Sequence, residues 1–273
     1  MIKERFELTN KVALVLGGRG VLGSSFSAAF EEFGARVYSA DLQTSSEQSA
    51  DLKRDNIIQL NVDVTNASSI IKLVEDVKAD AKRIDILVYS VTAKPNDFYK
   101  PFTECSLEGW QTVLRTELDG LFLISREVGK MMEESGSGSM IFLSSIYGVV
   151  GNNQSIYEGS NLADVYLKDK PDGTSRVYSH AVYAAAKGAV ISLTRFLAAY
   201  WGDKNIRVNC ISPGGLSHPG ENEEFVKRYS EKAPLGRKAR VEEITGAAVF
   251  LASDASTYVT GHNLIVDGGW TIW

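Results

Sequence analysis

A buried-strand pattern followed by a glycine-rich turn and a helical pattern restricts the fold of this chain more than any other feature. Residues 12–16 (VALVL) form a continuous apolar run, which is typical of a strand buried on both faces of a parallel sheet. Residues 17–23 (GGRGVLG) follow at once and lead into a helical pattern that Gly34 closes. Strand, glycine turn and helix in this order place a pyrophosphate at a helix N-terminus. We therefore predict a dinucleotide-binding α/β fold.

The second strand ends in an acidic residue that bears on the choice of cofactor. Asp41 follows the predicted strand of residues 36–40, and a carboxylate there accepts hydrogen bonds from the adenosine ribose and repels a 2′-phosphate. We therefore predict NAD as the cofactor. Arg19 could contact a phosphate, which keeps NADP as the alternative, but the sequence favours a solvated loop arginine over a phosphate contact. The turn residues predicted to bind the cofactor are Gly17, Gly18, Arg19, Val21, Leu22 and Gly23.

Strands and helices alternate along the rest of the chain, which indicates βαβ units and a parallel sheet. We predict a Rossmann-type doubly wound parallel sheet of about seven strands with helices on both faces, in one domain over residues 1–273. A single long helical pattern covers residues 107–132. Ligands of such sheets bind outside the carboxyl ends of the strands. The residues that fall there are Gly17, Asp41, Asp63, Ser90 and Ser145.

Composition argues against several other classes of protein. A net charge of −5 gives no electrostatic support for nucleic-acid binding. The two cysteines lie far apart, and the three histidines have no cysteine or carboxylate at metal-ligand spacing, so we predict neither a disulfide nor a metal site. The charged start lacks a secretory pattern and no apolar run approaches the ~20 residues of a membrane span. We therefore predict a cytoplasmic protein with no membrane partner.

Tyr183 and Lys187 form the most suggestive catalytic pair in the sequence. They lie four residues apart in a helical pattern that ends near Trp201, so both side chains project from the same face. A free tyrosine has a pKa near ~10, and a neighbouring cation lowers it. The spacing alone is common on solvated helices, so its meaning depends on the surrounding motifs.

Taken together, the motifs resemble the short-chain dehydrogenase/reductase family of classical type, from about Leu8 to Trp270. The end of the chain, residues 267–273, resembles that of sugar-acid and polyol dehydrogenases such as gluconate 5-dehydrogenase. The resemblance implies an NAD(P)-dependent oxidoreductase that interconverts a secondary alcohol and a ketone. The motifs that carry it are the glycine turn, Asp63-Val64, residues 85–88, Ser144-Ser145, Tyr183-xxx-Lys187, residues 207–209, Pro213-Gly214 and residues 266–269.

The resemblance also implies roles for individual residues. Tyr183 would be the general acid/base, Lys187 would lower its pKa and bind the nicotinamide ribose, and Ser145 would hold the substrate oxygen. Both Tyr183 and Lys187 therefore also count among the cofactor contacts. The remaining predicted cofactor residues are Asp63 and Val64 at the adenine, Ser90 after the fourth strand, and Pro213 and Gly214 near the nicotinamide.

Several positions depart from the family pattern. Leu16 replaces a threonine, Val21 replaces the middle glycine of the turn, and residues 89–92 (YSVT) replace an Asn-Asn-Ala-Gly segment. Glu117 stands where an asparagine completes the family's catalytic tetrad. It could pair with Lys187, hold a relay water, or be a partly solvated helix residue without a catalytic role. These departures support the alternative of a cofactor-binding member with weak or no turnover, such as a redox sensor or scaffold.

Residues 151–180 are polar, lack a sustained period and are predicted to be an insertion at the rim of the active site. Their composition suits a small hydroxylated, sugar-like substrate, although a lid or a subunit contact explains the insertion equally well. The predicted substrate residues are Lys94, Ser145, Asn153, Tyr157, Glu158 and Tyr183. Family members are usually tetramers or dimers. We expect a homo-oligomer, in which Trp270 and Trp273, taken as exposed on the monomer, would be covered.

Overall fold

One fully parallel sheet organises the protein, as a computed structural model of residues 1–42, 56–167 and 176–273 shows. Its strand order is β3-β2-β1-β4-β5-β6-β7, so the chain winds outward in both directions from β1 and β4. This confirms the predicted doubly wound sheet of seven strands. The strands are β1 (Val12–Leu16), β2 (Arg36–Asp41), β3 (Ile57–Asn61), β4 (Ile86–Tyr89), β5 (Gly138–Leu143), β6 (Ile206–Pro213) and β7 (Asn263–Val266).

Helices cover both faces of the sheet. Leu14 and Leu16 of β1 face a core shared with α2, α4 and α6, whereas Ala13 and Val15 face a core shared with α1 and α8. Alternate side chains of a strand point to opposite faces, so burial on both sides explains why β1 is apolar throughout. The helices are α1 (Val21–Glu32), α2 (Ala67–Ala81), α3 (Leu107–Leu114), α4 (Gly120–Ser135), α5 (Leu162–Tyr166), α6 (Ala181–Trp201), α7 (Glu223–Ser230) and α8 (Val241–Ala252).

The predicted continuous helix over residues 107–132 is interrupted by a π-helical turn, Arg115–Asp119, between α3 and α4. The Tyr89 hydroxyl donates a hydrogen bond to the Thr116 carbonyl oxygen at this turn. The hydroxyl fits because residue 120 is glycine: a Cβ there would lie 2.3 Å from the Tyr89 oxygen. Single π turns inside helices are frequent at functional sites. Glu117 lies within this turn, and its side chain is only 1% exposed.

The insertion contains more regular structure than predicted. The short helix α5 and a 3₁₀ turn, Gln154–Tyr157, lie within the described part of residues 151–180. Tyr157 and Leu162 are buried in a third apolar cluster together with Phe225 of α7. The absence of a sustained sequence period misled the prediction because these elements are too short to show one. Residues 168–175 of the insertion lie outside the described residues.

Trp270 contradicts the expectation that both terminal tryptophans are exposed on the monomer. Its side chain is 7% exposed, whereas Trp273 is 77% exposed. Gly268 and Gly269 have φ values of +66° and +86°, which turn the chain back on itself. The Trp270 ring therefore stacks on Tyr229, with the two ring centroids 5.9 Å apart.

Residues 181–204 have the length and composition of a membrane-spanning helix, contrary to the expectation from the sequence. The core helix of a soluble protein meets the same criteria. Val190, Leu197 and Trp201 of this segment belong to the apolar core on one face of the sheet. The segment is therefore explained by its packing in the domain.

Candidate active site

Three of the predicted catalytic side chains meet at the carboxyl end of β5. Tyr183 lies in the first turn of α6, and Ser145 lies two residues after the end of β5. Ser145 is near enough to the Tyr183 phenol to lower its pKa, and the Ser145 hydroxyl accepts a hydrogen bond of 3.2 Å from the Tyr147 backbone N–H. One turn further along α6, the Lys187 ammonium lies 5.3 Å from the centre of the Tyr183 ring. A Cβ at Gly148 would lie 2.6 Å from the Lys187 carbonyl carbon, so glycine allows the segment after Ser145 to approach α6.

Glu117 and Lys187 form a buried ion pair beneath Tyr183. Glu117 Oε2 lies 3.0 Å from Lys187 Nζ, and the side chains are 1% and 6% exposed. The other carboxylate oxygen accepts a hydrogen bond of 2.5 Å from Thr92 Oγ1. Lys187 Nζ also donates to the Leu143 carbonyl oxygen at 3.0 Å. Glu117 is thus not a solvated helix residue, while a catalytic role for it stays a prediction.

The charges around Tyr183 oppose one another. Burial raises the pKa of Tyr183, the Lys187 charge and the Ser145 hydrogen bond lower it, and the Glu117 charge raises it, with a net increase. Burial lowers the pKa of Lys187, but attraction to Glu117 and Tyr183 outweighs this and leaves the pKa raised. Lys187 is therefore a permanent cation at neutral pH. Its charge opposes the effect of burial on the pKa of Tyr183.

The glycine turn fits a pyrophosphate at the start of α1. Gly17 has a φ of +75°, and a Cβ at Gly17 would lie 2.4 Å from the Ser90 carbonyl oxygen. A Cβ at Gly23 would lie 2.0 Å from the Gly17 carbonyl oxygen. The backbone N–H groups of Val21 and Leu22 donate to no atom among the described residues, as expected at a helix N-terminus. Free donors and the positive end of the helix dipole favour an anion here.

Asp41 and Arg19 lie together at the adenosine end of this cleft. Asp41 Oδ2 accepts a hydrogen bond of 2.9 Å from the Arg19 backbone N–H, and Oδ1 accepts one of 2.8 Å from that of Leu42. The Arg19 guanidinium donates to the Leu42 carbonyl oxygen at 2.6 Å and to Asn61 Oδ1 at 3.2 Å. Its Nε is buried and has no hydrogen-bond partner among the described residues. The site thus contains both a carboxylate suited to a ribose and a guanidinium suited to a phosphate.

The other predicted cofactor residues lie at the same edge of the sheet. Asp63 Oδ1 accepts hydrogen bonds from the backbone and hydroxyl of Thr65 at 2.9 and 2.7 Å, and Val64 is 6% exposed. Pro213 ends β6, and the Gly214 N–H donates to the Val266 carbonyl oxygen at 2.9 Å. Their contacts with a cofactor stay predictions.

The predicted substrate residues of the insertion separate into two groups. Tyr157 is buried, and its hydroxyl donates to the Tyr147 hydroxyl at 2.7 Å. Its phenol lies near enough to Tyr183 for that residue to raise the pKa of Tyr157. Asn153 instead accepts hydrogen bonds from Ser155 at the start of the 3₁₀ turn. Glu158 is exposed and pairs with Arg176 at 2.6 Å. Asn153 and Glu158 therefore already have local partners.

His180 is a further polar residue of the insertion that the structure places near Tyr183. Its ring stacks on Phe98 at a centroid distance of 3.3 Å and lies 5.6 Å from the Tyr183 ring. Burial, reinforced by repulsion from Lys94, lowers the pKa of His180 to about 3, so the ring is neutral at pH 7.

Among the described residues, no group of three histidine, cysteine, aspartate or glutamate side chains could hold a metal ion. Cys105 and Cys210 are free thiols.

Comparisons with known proteins identify the family. The family model described as Enoyl-(Acyl carrier protein) reductase matches residues 19–163 and 172–271. D-threitol dehydrogenase of Mycolicibacterium smegmatis is 33% identical over 98% of this chain and 95% of its own length. A short-chain dehydrogenase from Leptospira borgpetersenii, solved with bound NAD+, has a TM-score of 0.84 at 32% identity over 97% of this chain and 94% of that one.

A second solved structure resembles the chain over nearly all of its length. It is a gluconate 5-dehydrogenase from Burkholderia cenocepacia in complex with NADP and tartrate. Its TM-score is 0.83 at 27% identity, covering 99% of this chain and 98% of that one. The family-model match and the 33% identity to D-threitol dehydrogenase show that the chain belongs to the short-chain dehydrogenase/reductase family.

Proposed function

We propose that this protein interconverts a secondary alcohol and a ketone on a small hydroxylated or sugar-derived substrate, with a nicotinamide dinucleotide as cofactor. The observation that carries the proposal is the grouping of Tyr183 with the buried Lys187, 5.3 Å from its ring centre, and with Ser145, which is near enough to lower the pKa of Tyr183. Membership of the family makes the chain an NAD(P)-dependent oxidoreductase that acts on CH–OH groups. The threitol and gluconate dehydrogenases among its relatives support a polyol or sugar-acid substrate.

The arrangement of the side chains determines how the proton moves. The nicotinamide, when bound, supplies the hydride chemistry. In the oxidative direction, the Tyr183 oxygen takes the proton from the substrate hydroxyl while the Ser145 hydroxyl holds the same substrate oxygen. In the reductive direction, the Tyr183 phenol returns the proton to the carbonyl oxygen. The Lys187 ammonium stabilises the phenolate that forms between these events.

Spectrophotometry of the reduced nicotinamide band tests the proposal directly. Purified protein is supplied with NAD or NADP and a panel of alditols, aldonates and keto-sugars, and initial rates are measured. Turnover that depends on Tyr183 establishes the dehydrogenase. The rival function, a cofactor-binding sensor or scaffold, is supported by Glu117 at the tetrad position. It predicts tight NADH binding without turnover of any substrate on the panel.

NAD is proposed as the preferred cofactor, and Asp41→Ala tests this choice. The substitution removes a carboxylate that accepts from ribose hydroxyls and repels a 2′-phosphate. The NAD-to-NADP ratio of kcat/KM is expected to fall by about tenfold or more, the scale of a hydrogen bond to a charged group. Asp76→Ala is the control because Asp76, among the described residues, pairs only with Lys72, at 2.8 Å on the exposed side of α2. If Asp41→Ala and wild type had the same NAD-to-NADP ratio of kcat/KM, Asp41 would not be a ribose-binding residue.

A homo-oligomer, a tetramer or dimer, is also part of the proposal. Phe122 on α4 is 54% exposed, and Phe196 and Tyr200 on the neighbouring α6 are 64% and 58% exposed and stack on each other. Exposed aromatic surface of this kind marks interfaces. Light scattering is expected to give a multiple of the 29.8 kDa chain mass, and Phe196→Glu is expected to shift it towards the monomer. A monomeric wild-type protein would contradict the proposal.

A cytoplasmic place in carbohydrate metabolism belongs to the same proposal. Its support is the need for a diffusible nicotinamide cofactor, together with the polyol and sugar-acid relatives.

A further inference from the structure

The charges around the substrate side of the cleft do not balance. The Glu117 carboxylate is paired with Lys187 at 3.0 Å. The Glu221 carboxylate is paired with Lys238, and these two side chains are 2% and 3% exposed. Each of these pairs is neutral as a unit. Lys94 forms no ion pair with any described residue, so one positive charge is left over.

Three elements surround the ammonium group of Lys94. Its Nζ lies 3.9 Å from the centre of the Tyr166 ring, which belongs to the insertion helix α5. Glu117, in the π turn, lies near enough to attract the Lys94 ammonium. His180, at the start of α6, lies near enough for the Lys94 charge to lower its pKa. The His180 ring is in turn 5.6 Å from the Tyr183 ring. Lys94 therefore lies on the wall of the cleft that contains the catalytic tyrosine.

The insertion holds Tyr166 in place against this lysine. The Tyr166 hydroxyl donates to Glu221 Oε1 at 3.2 Å. Asn161, just before α5, donates to the Gly220 carbonyl oxygen at 2.7 Å and accepts from the Asn222 backbone N–H at 2.9 Å. The cation thus rests on an aromatic face that is anchored by a buried ion pair. A cation over an aromatic ring keeps its other side available to a ligand.

We infer that Lys94 binds a carboxylate group of the substrate, so that the substrates are sugar acids, aldonates or keto-aldonates, and not neutral polyols. The inference rests on the proposed function and specifies its substrate class. One unpaired ammonium matches the single charge of a carboxylate and donates charge-assisted hydrogen bonds to it. A phosphate dianion would leave a negative charge without a partner, because the neighbouring His180 is neutral at pH 7.

The titration of Lys94 gives the inference a pH signature. The side chain keeps contact with solvent, yet desolvation by the surrounding protein lowers the pKa of Lys94 to about 8, while attraction to Glu117 opposes this effect. The groups that face it are Tyr166, Glu117 and neutral His180. Below this pKa the ammonium can bind an anion, and above it the lysine is neutral. The KM for an acid substrate should therefore rise as the pH passes through about 8.

The experiment compares each acid with the alditol that carries CH₂OH in place of its carboxylate. The pairs are D-gluconate with D-glucitol, D-galactonate with galactitol, and D-threonate with D-threitol, each at saturating cofactor. Wild type is expected to prefer the acid. Lys94→Met is expected to lower the acid-to-alditol ratio of kcat/KM by about 10- to 100-fold, mainly through the KM of the acid, the scale of a lost charge-assisted hydrogen bond. Equal losses for acid and alditol, or no loss, would overturn the inference.

Two further variants separate charge from structural effects. Lys94→Arg keeps the cation, so it should retain most of the acid preference and abolish the rise in KM near pH 8, because a guanidinium stays charged. Lys100→Met removes an exposed lysine from the same loop and should leave the ratio unchanged. Preference for alditols in wild type, or turnover confined to D-glucitol 6-phosphate, would also overturn the inference.

Failure of the proposed function can be distinguished from failure of the carboxylate site. If no compound is turned over with either cofactor, calorimetric titration of the NADH-saturated protein with D-gluconate still tests the carboxylate site. Weaker binding to Lys94→Met than to wild type, with Lys94→Arg intermediate, would support the site. Equal affinities for wild type and Lys94→Met would overturn it.

Discussion

Tyr183→Phe is expected to lower kcat by at least about 10³-fold, near the upper range for loss of a general acid/base, and to leave NADH binding almost unchanged. The substitution removes the only atom that exchanges a proton with the substrate oxygen in the proposed mechanism. It keeps the aromatic ring, which packs edge-on against Phe98 and His180. The change therefore isolates the chemistry from the packing.

Steady-state kinetics and a titration of NADH fluorescence are measured for Tyr183→Phe, for a control variant and for wild type. Tyr99→Phe is the matched control, since Tyr99 is a buried tyrosine whose ring lies 4.9 Å from His180 in the same aromatic cluster. Its kcat should stay within about threefold of wild type, the size of a modest packing change. Turnover retained by Tyr183→Phe would show that another group moves the proton, and loss of NADH binding would show that the site is misplaced.

Lys187→Met is expected to reduce the free energy of unfolding by about 3–5 kcal/mol and to abolish turnover. The substitution leaves the Glu117 carboxylate buried without its cation, since its other oxygen has only the Thr92 hydroxyl as a donor. An unpaired buried charge is far more costly than a missing surface ion pair. The phenolate of Tyr183 loses its stabilising charge at the same time.

The pH dependence of this stabilisation has a definite sign. The pKa of Lys187 is raised in the folded protein. Its contribution to the free energy of unfolding is therefore complete below the pKa of the unfolded state, and it is lost as the pH rises through the pKa of the folded state. The full effect is therefore present at pH 7. It should shrink only in strongly alkaline solution.

Urea unfolding followed by tryptophan fluorescence measures the loss. Lys130→Met is the control, because Lys130 is 62% exposed and its ion pair with Glu127, at 2.7 Å, should contribute less than about 1 kcal/mol. The double variant Lys187→Met/Glu117→Gln should recover much of the stability of Lys187→Met, since both buried charges are removed. Equal losses in Lys187→Met and Lys130→Met would mean that the buried pair is not a strong constraint.

Much of the fold could be read from local pattern. The apolar run before Gly17 is visible in the sequence because β1 is covered by helices on both faces, which forces every residue to be apolar. The helical spacing of Tyr183 and Lys187 placed both side chains on one face, where the structure brings them together. Such features depend on residues close in the chain, so one sequence is enough to predict them.

The tertiary structure alone decided which of the open readings applied to individual residues. Glu117 is turned towards Lys187 by a π turn that depends on a hydroxyl from β4, and Trp270 is covered by a residue of α7. Lys94 has no ion-pair partner among the described residues, because the carboxylates of Glu117 and Glu221 pair with other lysines. Glu117 pairs with Lys187, 70 residues further along the chain, and Glu221 pairs with Lys238, 17 residues further along. Sequence pattern reports the local geometry of a helix or strand. Burial and charge pairing depend on contacts between distant segments, which exist only once the chain has folded.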